Sequence, residues 1–146
     1  MLLAHNTEVC VADGRKLLLL VNAGDTRMPD LQVIRQEEQS LGPNRDLSTD
    51  RSGRTFNSAD SRRSGYEETD FKQLAEERFA IEAAAILNTR ALAGMFDKLI
   101  VIATPRTLGE MRPRYHKELS TRIIAEIAKE ATNLSPDGIA RMIAEA

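Results

Sequence analysis

The chain has one cysteine, two histidines and no tryptophan in 146 residues. A lone Cys10 forms no internal disulfide, and one cysteine with two histidines falls short of a zinc ligand set. Cys10 lies in the apolar run Val9-Cys10-Val11-Ala12 and reads as a core thiol, because a nucleophilic cysteine needs a basic neighbour to lower its pKa. Aromatic residues make up only 4%, so there is little to stack against nucleic-acid bases. Excess charge of one sign is also missing: 20 basic residues face 22 acidic ones, for a net charge of −2. That excludes a strongly basic nucleic-acid-binding domain but leaves room for a local basic patch. No apolar stretch approaches the roughly 20 residues of a membrane span; Leu17 to Val21 is short. The start, Met1 to Asn6, lacks the basic region and apolar length of a signal peptide. The chain is therefore expected in the cytoplasm, without membrane insertion. There is no internal repeat.

A chain of this length suits one domain, 1–146, which buries roughly 70% of its unfolded surface and needs no disulfide, metal or cofactor to build a core. Three strands come first. Thr7 to Ala12 and Arg15 to Val21 flank Asp13-Gly14, a pair that predicts a two-residue hairpin turn with positive φ at both positions. Asn22 to Asp25 is a second turn, and Leu31 to Arg35 a third strand. From 40 to 69 the chain turns polar, with Gly42, Pro43, Gly53, Gly65 and six serines. It reads as a long loop, and loops of this length in a compact domain are functional or disordered.

Asp70, with Gln73 three residues on, predicts a capped helix start. Phe71, Leu74, Ala75, Phe79, Ala83, Ile86 and Leu87 then recur at helical spacing, and Gly94 is placed to end the helix. Lys98 to Ala103 reads as a central strand covered on both faces. Thr107 and Glu110 predict a capping box, and Pro113 must interrupt the helix that follows before it resumes from Arg114 to Arg122. Ile123 to Glu130 is ambiguous: its Ala, Glu and Lys favour helix, yet a strand there completes a βββαβαβ order. Ser135-Pro136-Asp137 opens a last helix.

Several segments together carry a resemblance: Val11-Ala12-Asp13-Gly14, Thr49-Asp50-Arg51-Ser52-Gly53-Arg54, Glu76-Glu77-Arg78-Phe79-Ala80, Phe96 to Ala103 running into Thr104-Pro105-Arg106-Thr107-Leu108-Gly109, and Asn133-Leu134-Ser135-Pro136. Over nearly the whole chain they look like the bacterial host-attachment-protein family, proteins required for attachment to host cells. That family in turn resembles the middle domain of archaeal and eukaryotic peptide release factors. The resemblance implies an α/β fold with a ribonuclease-H-like mixed sheet in the order βββαβαβα, and makes Ile123 to Ala131 a strand against its propensity. Release factors carry a Gly-Gly-Gln tip before the long helix, where the Gln helps position water for peptidyl-tRNA hydrolysis. The corresponding stretch here is Ser61-Arg62-Arg63-Ser64-Gly65, so hydrolytic release does not carry over.

The functional expectations follow. Arg45, Arg51, Arg54, Arg62 and Arg63 are candidates to grip phosphates of tRNA or ribosomal RNA, since guanidinium matches phosphate oxygens in pairs; the plain alternative is that they are solvated charges beside Asp46, Asp50 and Asp60. Arg106 and Thr107 stand where a strand meets a helix start, a place that attracts anions; the plain alternative is a well-capped helix. Asp13 invites comparison with the first carboxylate of a ribonuclease-H-like nuclease, which groups carboxylates to hold metal ions, but a hairpin explains it more simply. His116, on a charged helix, reads as a surface residue rather than a general base. The leading expectation is a non-catalytic release-factor-like module binding ribosome or tRNA. The alternatives are a factor supporting attachment to host cells and a hydrolase at the Thr104–Thr107 corner.

Overall fold

The computed structural model describes residues 1–39 and 61–146, with side chains from Asp70 onward in the long helix. In chain order the elements are β1 (Glu8–Ala12), β2 (Lys16–Asn22), β3 (Leu31–Glu38), α1 (Ser61–Leu92), β4 (Leu99–Ala103), α2 (Pro105–Met111), a 3-10 turn (Arg112–Arg114), α3 (Lys117–Arg122), β5 (Ile123–Ala128) and α4 (Pro136–Glu145). The five strands form one mixed sheet in the order β3-β2-β1-β4-β5. β2 runs antiparallel to both neighbours, while β1, β4 and β5 are parallel. This is the mixed α/β fold implied by the resemblance.

Side chains on a strand alternate between faces, and the sheet uses both. Cys10, Ala12, Leu17, Leu19, Val101 and Ala103 pack under α1, α2 and α3, against Phe79, Ala83, Leu87 and Met111. Val9, Val11, Leu18, Leu20, Ile100 and Ile102 pack under α4, against Ile139 and Ile143. Burial on both faces explains why β1 and β4 read as unbroken apolar runs.

The β5 segment is a strand, paired in parallel with β4. Being an edge strand, it is only partly covered: Ile123, Ala125 and Ile127 are half-buried while Ile124 and Glu126 are exposed. Tertiary pairing outweighs the helical propensity of its Ala and Glu. Ser135 caps α4 as expected, its Oγ accepting from Gly138 N at 3.1 Å. Gly94 ends α1 in the left-handed region (φ 69°), with Gly94 N donating to Ala91 O and Met95 N to Arg90 O.

Three local expectations need correction. Asp70 is not a helix cap, because α1 begins at Ser61 and Asp70 lies inside it. The cap before α2 is Thr104, whose Oγ1 accepts from Thr107 N, with Pro105 in the first turn; Thr107 is therefore inside the helix rather than its cap. The β1–β2 connection is three residues, Asp13 to Arg15, and Gly14 does not have positive φ. Instead the Asp13 carboxylate folds the turn, accepting from Arg15 N and Lys16 N at 2.8 Å each. Gly14 is needed for space: a Cβ there would meet Glu76 of α1 at 2.8 Å.

Candidate functional site

At the carboxyl end of the parallel strands, Ala12 pairs with Ala103, which sets Asp13 beside Thr104 and the start of α2. Asp13 Oδ2 accepts from Thr132 Oγ1 at 2.8 Å, so with the turn amides both carboxylate oxygens are engaged. Thr104 Oγ1 donates to Thr107 Oγ1 at 2.9 Å and accepts from Thr107 N at 3.4 Å. Thr107 is buried, and Arg106 is exposed with its Nε 3.6 Å from Glu110. The polar atoms of this corner close on one another. Among the described residues no group of three or more His, Cys, Asp or Glu side chains is placed to hold a metal ion.

Of the other candidates, only Arg62 and Arg63 have a described backbone, and it lies far from that corner. Arg45, Arg51 and Arg54 fall outside the described residues, and Arg62 and Arg63 lie in the first turn of α1. Glu76, fourteen residues further along α1, packs over Gly14 beside the corner. At 1.5 Å per residue that puts the first turn about 21 Å away along the helix axis. The structure therefore does not bring Arg62 and Arg63 together with Arg106 and Thr107.

What α1 offers is reach. Its 32 residues extend about 48 Å, against about 17 Å for a five-residue strand. Burial begins at Phe79 and continues to Ala91, while no residue from Asp70 to Arg78 is buried. From Ser61 to Phe79 the helix axis advances about 27 Å. The basic first turn thus stands at the far end of an arm anchored by the sheet.

A nearly buried ion pair and a buried asparagine sit at the opposite end of the sheet. Arg90 Nη2 of α1 donates to Glu8 Oε1 and Oε2 at 2.8 and 2.9 Å, and both side chains are nearly buried. Burial pushes the Glu8 carboxyl above its ordinary range, with Arg90 opposing. Asn22, fully buried, joins the N-terminal segment to the β2–β3 connection. Its Nδ2 donates to Leu3 O and Ala4 O, and its Oδ1 accepts from Gly24 N and Asp30 N. Gly24 is fixed by the same connection, since a Cβ would lie 2.1 Å from Met28 O. Asn88 clamps the turn before α3, donating to Arg114 O at 2.9 Å and accepting from His116 N at 2.8 Å. His116 itself is exposed, and its Nδ1 accepts from Glu118 N as the cap of α3.

Sequence reasoning does not single out Glu8, Asn22, Asn88 or Arg90. The signals are slight: Glu8 leads an otherwise apolar strand, Asn22 ends one, and Arg90 follows an apolar helix face. Each gains its role from a partner distant in sequence.

Cys10 is fully buried, and burial pushes its thiol up to about 12 from an ordinary 9.0. Thiol reagents at pH 8 are expected to leave Cys10 unmodified in the native protein and to modify it fully in denaturant. Rapid native labelling would contradict a core role. The unfolded chain loses the thiol proton near 9.0 and the folded chain near 12. This stabilising contribution is present below pH 9 and is lost as pH rises toward 12, by about 1.4 kcal/mol per pH unit.

Two comparisons with known proteins bear on the site. A family model described as bacterial archaeo-eukaryotic release factor family 12 matches residues 6–143. No curated protein matches the chain.

Proposed function

Because the chain belongs to bacterial archaeo-eukaryotic release factor family 12, we propose that it is a non-catalytic release-factor-like module that binds the ribosome or tRNA through arginines at the far end of α1. The observation that carries this reading is the arm: a 32-residue helix whose described buried residues run from Phe79 to Ala91, with Arg62 and Arg63 in its first turn. Arg45, Arg51 and Arg54, in the segment that leads to that turn, supply further guanidinium groups for phosphate oxygens. The chain has no Gly-Gly-Gln, so the group that positions water in release factors is missing, and binding without hydrolysis is what remains. A ribosome-bound role places the protein in the cytoplasm. No described helix is long and apolar enough to cross a membrane.

We place the attachment role second, since it rests on the sequence resemblance alone. Hydrolysis at the Thr104–Thr107 corner comes last: its hydroxyls are used in capping and Arg106 faces Glu110.

Ribosome co-sedimentation across a salt series tests the binding. The wild-type protein is expected to pellet with ribosomes at low salt and to be released as salt rises. Replacing Arg51, Arg54, Arg62 and Arg63 by Ala should weaken binding and lower the slope of log K against log salt by roughly three, at about 0.7 for each phosphate no longer neutralised. An unchanged slope would remove the arginines from the interface.

A further inference from the structure

The turn that ends α1 sets a methionine against the Glu8–Arg90 pair. Met95 N donates to Arg90 O and Gly94 N to Ala91 O, with Gly94 at φ 69°. In a helix end closed by these two bonds, the residue after the left-handed glycine folds back over the last helical turn. The side chains brought together are those of Met95 and Arg90. That contact is usually apolar, but here the Met95 sulfur accepts from Arg90 Nη1 at 3.8 Å.

A thioether is a weak acceptor. Among the described residues no other acceptor meets Nη1, since Glu8 takes both of its bonds from Nη2. Met95 is 57% exposed and borders an opening of about 380 Å3 that it shares with Glu8, Phe96, Asp97 and Lys98. Small polar solutes therefore reach its sulfur. The other methionines differ. Met111 is fully buried in the core. Met28 is exposed, but its bonds to Asp25 are made by its backbone.

We propose that Met95 is an oxidation site for hydroperoxides, and that Arg90 holds the resulting sulfoxide oxygen. The sulfur attacks one oxygen of hydrogen peroxide; the S–O bond forms as the O–O bond breaks. Sulfur gives up two electrons, and the proton on the transferred oxygen passes to the departing hydroxide, which leaves as water. A small rotation of this exposed side chain brings the new oxygen to hydrogen-bond distance of Nη1. A charged donor then meets a strong acceptor in place of a weak one. Glu8 keeps Nη2, so the ion pair is untouched. Methionine oxidation ordinarily disrupts packing by making an apolar side chain polar. At Met95 little packing is lost, and oxidation tightens the tie between the end of α1 and β1. This site is separate from the α1 tip and does not depend on RNA binding.

The test is peroxide treatment of the full chain, with sulfoxide located by peptide mass spectrometry and stability read by urea unfolding. Met28→Leu is compared with Met28→Leu plus Met95→Leu, both replacements being at exposed positions and so compatible with folding. Met95 should be oxidised well before Met111. Oxidation should lower the unfolding constant of the first variant about fivefold relative to its effect on the second, the size of one added hydrogen bond. By NMR, the Arg90 Nη protons should exchange with water more slowly once Met95 is oxidised. Oxidation that raises the unfolding constant of the first variant relative to the second, or changes both equally, would overturn the proposal. So would a Met95 as resistant to peroxide as Met111, or Arg90 exchange that oxidation leaves unchanged.

Discussion

Arg90→Met should destabilise the protein by about 3–5 kcal/mol, because it leaves the Glu8 carboxylate buried without its partner. The native pair holds both carboxylate oxygens on one guanidinium nitrogen, at 2.8 and 2.9 Å, and ties the end of α1 to the start of β1. The pair itself need not be a net gain over apolar side chains, since desolvating two charges offsets much of their attraction. The double replacement Glu8→Leu with Arg90→Met should therefore recover most of the loss. Urea denaturation of the two single variants and the double variant measures this as a cycle. A loss below about 1 kcal/mol for Arg90→Met would mean that water reaches Glu8 and screens it. The pH dependence has a definite sign. The folded-state pKa of Glu8 is raised from 4.5, so its contribution is present below 4.5 and is lost as pH rises through the raised value. Without Arg90 the carboxyl moves further up, and the gap between Arg90→Met and wild type should narrow as pH falls.

The second large effect belongs to Asn22. Asn22→Ala should cost about 2–3 kcal/mol, because it strands the buried carbonyl of Leu3, at roughly 1–3 kcal/mol, and removes the partner of three part-buried groups that water only partly replaces. Those three are the amides of Gly24 and Asp30 and the carbonyl of Ala4. Hydrogen exchange separates this from a general loss of stability. Gly24 and Asp30 amides should exchange faster by more than global destabilisation explains, while amides of β4 should follow the global value. If Gly24 and Asp30 exchange as in wild type, their bonds to the Asn22 side chain are not what holds the β2–β3 connection.

Whatever depends on local pattern is legible in the sequence. The apolar runs of β1, β2 and β4, the Gly94 stop and the Ser135-Pro136 start all act within a few residues, and the structure keeps them. Sequence and structure part where two local signals compete. Thr104 and Thr107 both suit a cap, and the decisive sign is Pro105, suited to the first helical position after Thr104. Asp13-Gly14 suggests a turn with positive φ, but the Asp side chain can fold the turn itself. Local pattern places the start of α1 too late because Ser61, Ser64 and Gly65 are poor helix formers. A helix already nucleated by a buried stretch, here Phe79 to Ala91, extends at little cost per residue. β5 is recoverable only through the family resemblance, because its strand state comes from pairing with β4 and not from composition. The Glu8–Arg90 pair, 82 positions apart, has no local signature. The arginines of 45–54 stand outside the described residues, so their place in the site rests on sequence.

The most direct test of the central claim uses ribosomes carrying peptidyl-tRNA, followed for bound protein and for peptide release in one pelleting assay. A release-factor-like module without Gly-Gly-Gln should pellet with the ribosomes and leave the peptide attached to tRNA. Peptide release above background would contradict the non-catalytic reading, and failure to pellet at low salt would contradict ribosome binding itself.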